Sequence, residues 1–164
     1  MSKYKTFDRF IMGFTAFKNN YISRVNGEGF ATSADCADFI VSEYLGSFNI
    51  PTLVLPAPPA SDVLVEAVNA VFDAGDSPTI LEAKLSAALM VYWSFAVFGA
   101  YVLNPLAGGI PGKVTTGNIP ENAESIEDFV DGLVGMFEDH IGAMSWFLTG
   151  STPLTGATNP IVVP

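Results

Sequence analysis

Residues 78–103 read PTILEAKLSAALMVYWSFAVFGAYVL, and from Leu85 to Leu103 there is no charged side chain. A helix with one face in water repeats charges at helical spacing; this run has none, so nearly every side of it must be covered. The cover is either protein or a bilayer, whose hydrocarbon core takes about 20 apolar residues to cross. Tyr92 and Trp93 favour protein, because such rings settle at a membrane interface and these fall in the middle of the run. The start is marked by Ser77 as a cap, Pro78 in the first turn and Glu82 near the positive end of the dipole. The stop is marked by Asn104-Pro105.

Four further helices are predicted around this one. Phe7, Phe10, Phe14, Phe17 and Tyr21 follow at steps of three and four, which gives an aromatic face to a helix over about 6–24. Thr32 or Ser33 caps a second helix to about Phe48, with Cys36, Phe39 and Ile40 inward. Ser61 and Asp62 open a third to about Ala74, joined to the apolar helix by a tight turn. Asn122 or Ser125 opens the last, to about Leu148, where Gly132, Gly135 and Gly142 would let a neighbouring backbone come close. The fold class expected is all-α: about five helices around a central apolar helix at 78–103, in a domain over 1–150.

The connections are unusual. PTLVLPAPPA, residues 51–60, is stiff and extended, and Leu53, Val54 and Leu55 argue that it packs on apolar surface. Residues 104–122 are too long for an idle connector, and Gly108–Lys113 fails as a phosphate loop because Val114 stands where a hydroxyl residue is needed. From Ile141 to Pro164 no side chain is charged, so 151–164 reads as an extended C-terminal arm meant to be covered.

Catalytic patterns are absent. His140 is the single histidine, and late in an amphipathic helix it reads as a surface or capping group. Cys36 stands alone, without a neighbouring base, and reads as a small core residue. The acids at Glu124, Glu127, Asp128 and Asp131 lack the curved loop that a hard cation needs. No catalytic, cofactor or metal residue is assigned. Seventeen acidic against seven basic residues, a net charge of −10, disfavours nucleic acid as a partner. Five of the basic residues lie in the first 24 positions, a basic head on an acidic body.

Tyr92-Trp93 in a neutral helix, followed by Pro105, Gly108-Gly109 and Pro111-Gly112, and the arm after Gly150 give the chain its style. In this it resembles small helical virion proteins of tailed bacteriophages. The resemblance implies a non-enzymatic capsid, neck or tail subunit, assembled in the host cytoplasm with copies of itself and other structural proteins. Contacts are expected through 104–122 and the arm, at Ile110, Val114, Ile119, Leu154, Ile161, Val162 and Val163. The alternatives are a membrane protein with one span near 85–103, and a ligand-binding or enzymatic bundle using the aromatic residues and His140.

Overall fold

The computed structural model describes residues 10–11, 13–148 and 161–162. The chain runs β1 (Phe10–Ile11), α1 (Thr15–Asn26), α2 (Ser33–Gly46), β2 (Leu53–Val54), α3 (Ala60–Asp73), α4 (Pro78–Trp93), β3 (Val97–Phe98) and β4 (Tyr101–Val102). After a short 3-10 turn at Pro105–Ala107 come α5 (Ile126–Gly142), β5 (Phe147–Leu148) and β6 (Ile161–Val162). The class is mostly helical, as expected, though small strands accompany the helices. An antiparallel sheet of order β2-β3-β4-β5 accompanies the helices, and β1 pairs in parallel with β6.

The largest correction concerns the apolar run. α4 stops at Trp93, and the rest of the run turns back as a hairpin with Val97 opposite Val102 and Phe98 opposite Tyr101. Gly99 holds φ 59 at the first of the two loop positions. A two-residue hairpin needs a positive φ there, which glycine adopts freely, while β-branched and aromatic residues suit the flanking strands. Among the described residues no helix is long and apolar enough to cross a membrane, so the helix that a span near 85–103 requires is not formed.

The aromatic stripe near the start of the chain serves a shorter helix than its spacing predicts. α1 begins at Thr15; Phe10 lies in β1, and Phe7 is outside the described residues. Phe14, Phe17 and Tyr21 are buried as expected. Phe137 of α5 receives the rings of Phe14, Phe17 and Tyr44 at centroid distances of 5.3, 5.1 and 4.6 Å. Trp93 joins them by donating its indole N–H to the Tyr44 hydroxyl at 2.8 Å and by meeting Phe48 edge-on at 4.9 Å. Residues of α1, α2, α4 and α5 thus share one core, with the polar tip of Trp93 satisfied inside it.

α2 and α5 start where their caps predict. The Thr32 hydroxyl accepts from the Asp35 amide, and the Ser125 hydroxyl from the Asp128 amide, both at 3.1 Å. α4 is capped differently: the Ser77 side chain makes no cap, and Glu121 accepts from the Thr79 amide and hydroxyl instead. α5 also ends early, at Gly142, because the chain turns there to set Ser145 against Ile110 and β5 against β4.

Of the three glycines in α5, Gly132 meets the backbone of the loop of the same chain at Asn118 and Ile119, and Gly135 meets the Asn118 side chain. A Cβ on Gly132 would sit 2.6 Å from the Asn118 carbonyl oxygen, whereas one on Gly142 would meet nothing within 4 Å. Alanine gains helix propensity at either position, up to about 1 kcal/mol in a helix interior and less near its end. Gly142→Ala is therefore expected to stabilise the protein slightly in urea unfolding, and Gly132→Ala to destabilise it. Equal gains at both positions would mean that residues 118–119 do not rest on α5.

Candidate functional site

α4 is used on two opposite sides. Its inner side carries Glu82 and Ser86, four residues apart and therefore stacked on one face, and both are fully buried. Oε1 of Glu82 accepts from the backbone N–H groups of Asn118 and Ile119 at 2.8 Å each, and Oε2 accepts from the Asn118 side-chain amide at 3.0 Å. The Ser86 hydroxyl accepts from the Thr115 amide at 2.9 Å. The same Asn118 amide reaches Asp139 on α5 at 2.9 Å. Residues 115–119 are thereby sewn to α4 by the buried Glu82 and Ser86 side chains, and to α5 by the exposed Asp139.

His140 completes this arrangement, and its placement corrects the expectation of a surface or capping group. The ring is fully buried, and Nδ1 lies 3.0 Å from the Lys113 carbonyl oxygen. It fits because residue 112 is glycine: a Cβ there would sit 2.3 Å from Cε1 and Nε2 of the imidazole. Desolvation pushes the imidazole down from 6.5 to about 4, against the opposing pull of the Lys113 and Pro111 carbonyls. Near neutral pH the group is an uncharged wedge under the loop, sealed away from any substrate.

The outer side of α4 is the opposite in character. Ala88, Val91, Tyr92 and Phe95 line an open groove of about 790 Å³ together with Val63 and Ala67 of α3 and residues 56–60. Its two large rims stay in water, with Phe95 63% and Val91 59% exposed. Tyr92 donates its hydroxyl to the Pro56 carbonyl at 2.9 Å, which ties the proline segment to α4. Burial pushes that hydroxyl up to about 12, so it stays a neutral donor. Leu53 and Leu55 of the connector pack against the core as expected, Val54 stays 62% exposed, and residues 56–59 line the groove.

The residues expected at subunit contacts are dispersed. Ile110 and Val114 stand on the outer edge of the 104–122 loop, 48% and 52% exposed, beside Leu106 at 97%. Ile119 is a correction: it is buried, its amide is held by Glu82, and it offers no surface to a neighbour. Ile161 and Val162 pair with Phe10 and Ile11, while Leu154 and Val163 lie outside the described residues. Cys36 is half-buried, and burial pushes its thiol up although a hydrogen bond with Tyr21 pulls the other way. That is the direction of an inert thiol. Among the described residues no group of three or more metal-ligating side chains gathers.

Sequence reasoning missed the inner side of α4 and anticipated the outer one only in part. A signal existed for the inner one, since Glu82 and Ser86 share a stripe with Leu85, Leu89 and Trp93, and polar groups inside a buried stripe must have partners. For the groove the signal was the run's aromatic residues, of which Tyr92 and Phe95 line it while Trp93 and Phe98 are buried in the core. Comparison with protein-family models, with curated proteins and with solved structures finds no match to this chain.

Proposed function

We propose that this chain is a non-enzymatic structural subunit of a large symmetric particle, joined to its neighbours through apolar surface that its own fold leaves open. The observation that carries this is the α3–α4 groove, whose lining is aliphatic, proline and aromatic, with Phe95 63% exposed. Contiguous apolar surface of this kind marks an interaction site, whereas single exposed apolar residues need no explanation. Leu106, Ile110 and Val114 on the loop edge, together with the C-terminal arm, are further contact elements, and the helices around α4 are the scaffold. The sequence resemblance points to a bacteriophage virion as the particle.

The mass of the native protein by light scattering, in buffer without detergent, tests this reading. A defined oligomer is expected, and a monomer at every accessible concentration would overturn it. Phe95→Ser locates the contact. Covering a large apolar side chain contributes about 1.5–3 kcal/mol, so the variant's subunit dissociation constant is expected to rise about 10- to 100-fold. Its unfolding midpoint should stay near that of the wild type, since the ring is mostly in water within the chain. A second reading is a small apolar ligand in the same groove, whose volume of about 790 Å³ falls within the range of such sites. Saturable one-to-one binding of an apolar dye to a monomer that Phe95→Ser abolishes would favour it.

A further inference from the structure

The groove is neutral inside, but its α3 rim is acidic. Glu66 follows Val63 by three residues and so stands beside it on the helix surface, and Asp62, four residues before Glu66, is stacked with it; both are exposed. Neither has an ion-pair partner among the described residues. Three of the four described cations are already engaged, Lys18 with Asp131, Arg24 with Glu28 and Lys84 with Asp76, and the fourth, Lys113, is a single exposed charge on the 104–122 loop.

One segment of the chain has the complementary chemistry. Residues 1–9, MSKYKTFDR, hold three of the chain's seven basic side chains, Lys3, Lys5 and Arg9, and only one of its seventeen acids. Between them stand Tyr4 and Phe7, aromatic groups that seek apolar cover. The segment lies outside the described residues and leads into β1, which β6 holds beside α5. Nine residues reach at most about 30 Å when extended, enough to lie along a groove between two helices.

We propose that the α3–α4 groove of one copy receives the basic, aromatic residues 1–9 of a second copy, with Tyr4 and Phe7 in the apolar trough and the cations over Asp62 and Glu66. The inference rests on the assembly reading above and names its partner. A head-to-groove contact joins two different surfaces: each copy donates a head and offers a groove, so copies close as a reciprocally exchanged pair or a ring, or run on as an open filament. The charge match sets register and speeds encounter, and the apolar trough holds the contact once made. Added salt weakens the association.

Charge reversal on full-length protein tests this. One variant carries Lys3→Glu, Lys5→Glu and Arg9→Glu; a second carries Asp62→Lys and Glu66→Lys; circular dichroism and unfolding midpoints check that each is folded. Each alone is expected to lose self-association at least about tenfold at low salt. An equimolar mixture of the two is expected to regain wild-type assembly by sedimentation velocity, because each head then faces a groove of opposite sign. Variants that assemble like the wild type would overturn this contact and leave the assembly reading standing. A mixture that stays dissociated while the five changes combined in one chain restore compactness would place the head in its own groove, and this too overturns it. A monomeric wild type overturns both.

Discussion

Replacing Glu82 with alanine is expected to cost about 3–5 kcal/mol of folding stability, since each buried donor left without a partner costs about 1–3 kcal/mol. The side chain has no exposed surface, and its carboxyl group is the acceptor for the amides of Asn118 and Ile119. Removing it also takes one of two acceptors from the Asn118 side chain, which keeps Asp139. At this chain length the loss corresponds to a fall in Tm of roughly 10 °C. Glu82→Gln is the informative companion. Its remaining oxygen can serve both backbone amides, but its NH2 group faces the Asn118 NH2, so about 1–2 kcal/mol should be lost. Two variants equally stable in urea unfolding would show that the carboxyl group does not anchor the loop.

Acidification should unfold the protein by way of His140. The folded imidazole titrates at about 4 and the unfolded one at 6.5, so the unfolded chain binds the extra proton between those values. His140 therefore takes nothing from stability above about pH 6.5; its cost grows as pH falls and is complete near pH 4. At 1.36 kcal/mol per pH unit, the full loss is about 3 kcal/mol. Glu138 runs the other way, its carboxyl pushed up by burial and by Asp139 beside it. A comparison that retains Glu138 isolates the ring. His140→Gln keeps an N–H for the Lys113 carbonyl and removes the titration, so its stability should vary less with pH between 6.5 and 4. Parallel wild-type and variant curves would show that the imidazole is not held neutral in the fold.

What could be read from the sequence and what could not divide along physical lines. The starts of α2 and α5 were legible because Thr32 and Ser125 cap them with their own side chains, a strictly local event. The end of α4 was not, because from Leu85 to Leu103 the residues are uncharged throughout, and a uniform run has no period with which to separate helix from strand. Gly99 between Val97-Phe98 and Tyr101-Val102 was the available clue to the hairpin. From their places near a helix's last and first turns, His140 reads as a surface or capping group and Glu82 as a charge at the positive end of the dipole. Their burial depends on residues 112–119, some 20 to 37 positions away in the chain, and Gly112 states the fit only once the ring is known to lie beneath it.

The buried stitching of residues 113–119 also orders events in time. The contacts of Glu82 with Asn118 and Ile119 bridge 36 and 37 residues, whereas α3 and α4 are neighbours across a short turn. Closing the longer span costs more chain entropy and returns little until α4 and α5 are already in place. The α3–α4 hairpin can therefore form early in folding, and the loop settles late. Glu82→Ala should then leave the folding rate nearly unchanged and place its whole penalty on faster unfolding.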